Sequence, residues 1–295
     1  MYLVFDIGGT FVKYAMMDKE ANVHEKGKIP TIKKGLAPFL DSLEEIYYQF
    51  KDVDGIALSC PGLIDVDEGV IYHGGALKFL HECHIVKELS KRCQNVQVSV
   101  ENDGKCAGLA ESSIGAAKDY QDAIIMAFGT GVGGAIIKDK KVHRGTRLIA
   151  GELSFITTAY NRKDLSRNTW GERGNAIHLA LDLDKAKGKE KGTYSGEDVF
   201  AMAEAGDEDA TNILEDFYYD VANQINNMQY IYDPDIFCIG GGISEQPALL
   251  EGINRYVDKL QEISFQMVKP KVVKCQFQND SNLIGALFNY LQMYE

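Results

Sequence analysis

The chain has 295 residues, 45% of them hydrophobic and 25% charged, enough for one large domain or two medium ones with their own cores. Its 43 acidic residues outnumber the 31 basic ones, and a net charge of −12 argues against nucleic acid as the main partner. The opening "MYLVFDIGG" has no basic leader region and no run of about 18 apolar residues follows, so the expectation is a cytoplasmic protein with no membrane partner.

In chain order, "YLVFD", "IGGT" and "FVKYAMMD" read as strand, glycine turn and strand. Leu36, Phe39, Leu40, Leu43, Ile46 and Tyr47 then recur at helical spacing. "VDGIALSCPG" reads as a buried strand ending in a Pro-Gly turn, "HIVKELSKRC" as a helix, and "VQVSV" as a strand that runs into the polar "ENDG" and a helix beyond it. "DAIIMAFGTGVGGAIIKDKK" repeats the opening design of apolar strand, Gly/Thr turn and apolar strand, which suggests internal duplication with a boundary near residue 117. Residues 145 to 200 have the weakest periodicity, with "KAKGKEKG" expected to be a solvated loop. From about 207 the chain reads as mainly helical, interrupted by the strand of "DIFCIGGGISE" and closed by the apolar helix "NLIGALFNYLQMY".

Cys60, Cys83, Cys93, Cys106, Cys238 and Cys275 form no C-x-x-C pair and sit mostly in apolar surroundings, which reads as buried reduced thiols. His81 and His84 form the only local histidine cluster, and without a second ligand pair they do not make a metal site. The glycine turns admit two readings. Most Gly-Gly turns are hairpin connectors, but glycines at strand ends also expose N–H groups that can cradle phosphate. Thr10 and Thr130 stand beside the first two turns, Asp6 lies just upstream of the first, and Gly240, Gly241 and Gly242 add a third glycine cluster. Their conjunction reads as a nucleotide triphosphate site. "GTGVGG" is not a dinucleotide fingerprint, because the strand "AIIKD" follows where a helix is needed. "GKC" at 104 to 106 lacks the upstream glycine and the hydroxyl of a P-loop.

"FDIGGTFVK", "SCPGLID", "VENDGKCAGLAE", "FGTGVGGAII", "GTRLIAGEL" and "CIGGGIS" occur in an order and spacing that resembles the ROK family (repressors, uncharacterised frames and sugar kinases) of the actin-like ATPase superfamily. The resemblance implies an α/β fold of two actin-like ATPase (ribonuclease H-like) domains, each with a mixed five-stranded sheet, and an active site in the interdomain cleft. The expected domains are residues 1–116, small and N-terminal, and 117–280, large and C-terminal, with the C-terminal helix 281–295 a candidate to pack back on the first. ROK repressors carry a helix-turn-helix region before the "DIGGT" motif. Here the motif starts at Asp6, so a kinase is expected over a regulator lacking a DNA-binding domain.

Matching positions to the family implies Asp103 as catalytic base and Asn102, Glu152, Gly62 and Gly75 as substrate-binding residues. Without that match, the "END" stretch reads as a helix N-cap. Asp6 is expected to reach the Mg²⁺ of MgATP through water. Gly8, Gly9 and Thr10 would face the transferred phosphoryl, Gly129, Thr130, Gly131 and Gly133 the other phosphates, and Gly240, Gly241 and Gly242 the adenosine. Lys13 is either a phosphate-side charge or a solvated strand residue.

The match breaks after "AGE", where most ROK sugar kinases have Gly-His and this chain has Leu153, Ser154 and Phe155. Aligning Gly171 and Gly174 to the glycines of the family's C-x-C-G-x-x-G-C-x-E loop puts Asn168, Trp170 and Asn175 at the cysteines and Ile177 at the glutamate. No structural zinc is therefore expected, and Trp170 and Phe155 become candidates for the loop's core and for the substrate side. Losing polar ligands at the anomeric end suits a substrate with a substituent there. The expected reaction is ATP-dependent phosphorylation of the 6-hydroxyl of a glucose unit, favouring β-glucosides such as cellobiose. A glucokinase, fructokinase or N-acetylmannosamine kinase is the alternative. ATP and a sugar are the expected partners, with a homodimer as the family's usual state.

Overall fold

The computed structural model describes residues 1–160, 163, 167–263, 268–278 and 280–295. The chain divides into two compact units, the first made of Met1–Ser113, Lys141–Ala150 and Asn279–Glu295 and the second of Ile114–Lys140 and Gly151–Gln278.

In the first unit the chain runs β1 (Tyr2–Ile7), β2 (Phe11–Met17), β3 (Val23–Pro30), α1 (Leu36–Tyr47), β4 (Gly55–Cys60), β5 (Leu63–Asp65), β6 (Val70–His73), α2 (Ile85–Arg92), β7 (Gln97–Asn102) and α3 (Asp103–Ser113). Five strands form one sheet in the order β3-β2-β1-β4-β7. β1 is antiparallel to β2 and parallel to β4, which is parallel to β7. Every residue of β1 and of β4 is buried, as expected of strands covered on both faces, and that is why they read as apolar runs. β3, "VHEKGKIP", carries no apolar run or alternation that marks a strand in the sequence. It is an edge strand whose residues are exposed or half-buried, so it carries charge where an inner strand would carry Val or Ile. α1 buries Phe39, Leu40, Leu43, Ile46 and Tyr47, the stripe expected from their spacing.

The second unit contains β8 (Ala123–Phe128) and β9 (Val132–Lys138), after which the short β10 (Lys141–Val142) marks the chain's passage back to the first unit. It continues with β11 (Thr157–Tyr160), β12 (Arg167–Thr169), α4 (Trp170–Arg173), α5 (Ala176–Ala186), α6 (Gly196–Glu204), α7 (Glu208–Tyr232), β13 (Ile236–Gly240), α8 (Pro247–Ile263) and β14 (Val272–Lys274), before α9 (Ser281–Tyr294) closes the first unit. The second sheet has the order β10-β9-β8-β13-β14, and it repeats the plan of the first: an antiparallel hairpin, β8 with β9, beside parallel strands. Besides the one-turn α4, the stretch with the weakest sequence period holds α5 and begins α6, each defined by its cap. Asn175 accepts the N–H of His178 at the start of α5, and Ser195 forms a capping box with Asp198 at the start of α6. Between them, most of residues 185 to 192 are exposed. Among the described residues no helix is long and apolar enough to cross a membrane.

α9 lies on β1, β4, β7 and α3. Its Leu283, Ile284, Leu287 and Tyr290 are buried, while Asn282 and Asn289 point amides at the sheet, Asn282 to the Asp6 carboxylate and Asn289 to the Val100 carbonyl of β7.

Candidate active site

Strand register puts Lys28, Lys13, Asp6, Ser59 and Glu101 opposite one another across the first sheet, so a single polar row crosses β3, β2, β1, β4 and β7. Asp6 is 8% exposed. Its Oδ1 accepts hydrogen bonds from the Ser59 hydroxyl at 3.1 Å and the Asn282 amide at 3.0 Å, and its Oδ2 lies 3.8 Å from the Lys13 ammonium. Two neutral donors and one cation fix this carboxylate in place. Lys13 is half-exposed and joins Asp6, so its charge belongs to the row.

Just beyond Ile7 comes the first glycine turn. Gly8 donates its N–H to the Phe11 carbonyl at 3.0 Å, which closes the hairpin. Thr31 then pins the turn from outside: its hydroxyl donates to the Gly8 carbonyl at 2.7 Å and its N–H to the Thr10 carbonyl at 3.0 Å. Gly9 and Thr10 are exposed. Ser59, Asn282 and Thr31 carry no local sequence signal, because their partners lie 53, 276 and 23 residues away.

At the junction of β7 and α3 the chain turns from strand to helix. Asn102 accepts the Lys105 N–H at 3.1 Å through Oδ1, so it caps α3, and its Nδ2 donates to the Gly62 carbonyl at 3.0 Å. Its amide keeps a second N–H and Oδ1 a second lone pair, so capping and ligand binding are compatible. Asp103, the first residue of α3, is half-buried and accepts the Gly104 N–H at 2.8 Å. Gly75 stands against Pro61 and Gly62 and donates its N–H to His73 Nδ1 at 3.1 Å. Gly62, Gly75, Asn102 and Asp103 therefore gather at one place. Burial pushes the thiols of Cys60 and Cys106 well above their ordinary range beside this junction, and the neighbouring carboxylates reinforce the shift.

In the second unit two glycine clusters meet. The turn after β8 is closed by the Gly129 N–H on the Gly131 carbonyl at 3.0 Å, and the Gly129 carbonyl in turn accepts the Ala176 N–H from the start of α5 at 3.0 Å. Gly241, at φ +85°, packs so closely that a Cβ would lie 2.3 Å from the Phe128 carbonyl oxygen. Only glycine satisfies both that conformation and that contact. Gly240 and Gly242 flank it, and Thr130 projects into solvent. Glu152 follows Gly151, whose backbone abuts Ala135 and Ile136 of β9, and begins the turn Leu153–Phe155.

The loop after that turn departs from expectation at two residues, Phe155 and Trp170. Trp170 is 1% exposed, stacks edge-on against Phe128 at 5.7 Å and 72°, and donates its backbone N–H to the Ile156 carbonyl at 2.7 Å. Phe155 is 71% exposed, so it does not join Trp170 in a core. Leu153–Phe155 is a 3₁₀ turn, and when Leu153 points inward the residue two places on points away. Trp170 in turn is too buried to touch a ligand and acts by packing.

Three devices close the loop. Thr169 and Glu172 form a capping box, Asn175 donates its Nδ2 to the Gly171 carbonyl at 2.6 Å while capping α5, and Gly174 seats its backbone against the Trp170 indole. Ser154, Phe155, Thr169, Gly171 and Glu172 line a hollow of ≈ 460 Å³. Among the described residues no group of three or more His, Cys, Asp or Glu side chains could hold a metal ion.

Two mixed five-stranded sheets, each opened by an antiparallel hairpin with a glycine turn, define the actin-like ATPase fold with its ribonuclease H-like repeat. A sequence model of the ROK family matches residues 2–292, and the chain belongs to the ROK family. It is 28% identical to a β-glucoside kinase of Listeria innocua serovar 6a over 98% of this chain and 96% of the relative. A glucokinase of Halalkalibacterium halodurans is likewise 28% identical, over 87% of this chain and 85% of that protein. Among solved structures, a ROK family protein from Streptococcus pneumoniae TIGR4 in complex with sucrose superposes with a TM-score of 0.90 at 29% identity, covering 99% of this chain and 98% of that one.

Proposed function

We propose that the protein is an ATP-dependent carbohydrate kinase that transfers the γ-phosphoryl group to the 6-hydroxyl of a glucose unit, with β-glucosides such as cellobiose preferred. The observation that carries this reading is the β7–α3 junction, where Asn102, Gly62 and Gly75 gather around the carboxylate-bearing first residue of α3. Asp103 accepts the proton of the sugar hydroxyl as its oxygen attacks phosphorus and the bond to ADP breaks. An ordinary carboxylate suffices, because acceptance need only be timed to bond formation. Asn102 and Glu152 bind the sugar hydroxyls.

Gly8, Gly9 and Thr10 present N–H and hydroxyl donors to the transferred group. Gly129, Thr130, Gly131 and Gly133 do so for the other phosphates, and Gly240 to Gly242 pass the adenosine. Asp6, a single carboxylate already bonded by Ser59 and Asn282, fits a hydrated Mg²⁺ held mainly by the nucleotide, and that ion neutralises phosphate charge when MgATP binds.

Preference for a substituted anomeric carbon is supported by the exposed Phe155 ring beside the ≈ 460 Å³ hollow, an apolar face for a second sugar or an aglycone. The β-glucoside kinase relative agrees with it. The glucokinase relative supports a plain hexose as the rival substrate.

The test is ADP release from MgATP with glucose, fructose, N-acetylmannosamine and cellobiose. Cellobiose is expected to give the highest kcat/KM, and Asp103→Asn to lower kcat by about 10²–10⁴-fold. Phe155→Ala is expected to raise KM for cellobiose about fivefold with little change for glucose, the worth of one aromatic contact. Undiminished turnover in Asp103→Asn overturns the mechanism. Activity on glucose with none on any β-glucoside overturns the specificity.

A further inference from the structure

Behind the β7–α3 junction lies a charged pair that no step above uses. Glu101 is 0% exposed, and its two oxygens have separate tasks. Oε1 accepts the N–H of Asn102 at 2.7 Å, and Oε2 accepts Arg144 Nε at 2.8 Å together with a second donor from the same guanidinium. Arg144 also donates to Oδ1 of the buried Asn289 at 3.2 Å. A second cation repeats the pattern one turn into α3: Lys105, 2% exposed, donates Nζ to the Leu148 carbonyl at 3.0 Å. Two buried or half-buried cations thus fasten the segment Lys141–Ala150 to the junction.

Stability alone does not account for such a pair, since buried ion pairs are often replaced by apolar residues at no loss. What the pair does locally is specific. A carboxylate that takes the backbone N–H of the next residue fixes the direction in which the chain leaves β7, and that direction orients Asn102 and Asp103. The guanidinium holds the carboxylate by two N–H groups, which sets its plane as well as its position.

We propose that Glu101 and Arg144 are positioning residues for phosphoryl transfer: Arg144 fixes Glu101, and Glu101 fixes the backbone from which Asn102 and Asp103 project. The proposal rests on the reading of Asp103 as the base. Among the described residues the Arg144 side chain reaches the junction through Glu101 and, by way of Asn289, the Val100 carbonyl of β7, so its loss acts on kcat through geometry and leaves nucleotide affinity alone.

The test compares kcat, the KM for cellobiose and for ATP, and the melting temperature in Glu101→Leu/Arg144→Met, Glu101→Gln, Asn289→Ala and Asp103→Asn. The double variant removes both charges of the pair and leaves Lys105 its bond to the Leu148 carbonyl. It is expected to melt near the parent, keep the KM for ATP and lose about 10²-fold in kcat, the cost of a displacement of roughly 1 Å at the reacting centre. Glu101→Gln, which keeps an acceptor for the Asn102 N–H, is expected to recover about tenfold of that loss. Should the double variant fail to fold, Asn289→Ala loosens Arg144, together with the longer bond to the Val100 carbonyl, and is expected to lower kcat about fivefold. Parental kcat per folded molecule in the double variant, or in Asn289→Ala, with Asp103→Asn inactive overturns the positioning role by itself. Parental turnover in Asp103→Asn overturns the assignment of the base and the positioning role with it.

Discussion

Trp170→Ala removes the largest fully buried side chain of the protein. Truncating a buried tryptophan costs about 3–5 kcal/mol through lost contacts and the cavity left behind. Part of that is offset here, because the indole Nε1 has no hydrogen-bond partner among the described residues, and a buried unpaired donor itself costs about 1–3 kcal/mol. The expected net loss is about 2 kcal/mol from the midpoints of these ranges, which for a unit of this size lowers the melting temperature by about 4–8 °C. Trp170→Phe keeps an aromatic ring on Phe128 and discards the unpaired N–H, so it is expected to lie within about 1 kcal/mol of the parent. Circular dichroism melts and urea titrations at matched concentration measure both variants. A melting temperature for Trp170→Ala within about 2 °C of the parent, or equal losses for Phe and Ala, would refute the packing argument.

Gly241→Ala places a Cβ against the Phe128 carbonyl in a backbone conformation alanine resists. It should raise the KM for ATP at least about tenfold, and an unchanged KM would show that the glycine contact does not shape a nucleotide site. All six cysteines are buried and unbridged. Folded protein is therefore expected to give no fast reaction with a disulfide probe and six equivalents after unfolding. Rapid release of even one equivalent contradicts the packing around these thiols. Burial, with Arg144 opposing it more weakly, raises the Glu101 carboxyl above its ordinary value. The native state then keeps this proton to higher pH than the unfolded chain does, so the contribution to stability declines as pH rises from the ordinary carboxylate range near about 4 through the raised value. Glu101→Gln removes that decline. The unfolding free energy of the parent minus that of the variant should fall as pH rises, and a difference that grows sinks the sign.

β1, β8 and β13 were legible because strands buried on both faces need unbroken apolar runs and because glycines end each of them. The edge strand β3 was not, since solvent on both sides leaves no alternation to read. α5 and α6 leave little periodic signal because they are short and rest on Asn175 and Ser195 caps within a stretch of mixed polarity. At the site, the motif residues Asp6, Asn102 and Asp103 and the glycine turns could be named from local pattern and family resemblance. Their supports could not. Thr31, Ser59, Asn282 and Arg144 reach their partners across 23 to 276 residues, and only the folded sheet and α9 bring them together. Phe155 was misplaced for a geometric reason: composition says that an aromatic is present, while the phase of a 3₁₀ turn decides which way it faces.

The single tryptophan also makes the protein its own optical instrument. Its indole rests edge-on against Phe128, the residue directly before Gly129, Thr130 and Gly131, and its helix leads through Asn175 into the α5 N-terminus that holds the Gly129 carbonyl. Emission excited at wavelengths that the 15 tyrosines do not absorb therefore originates at one point, beside the turn after β8. A change in that turn is read as a shift in colour or intensity without a label, and the 71%-exposed Phe155, silent at tryptophan excitation wavelengths, adds nothing to the signal.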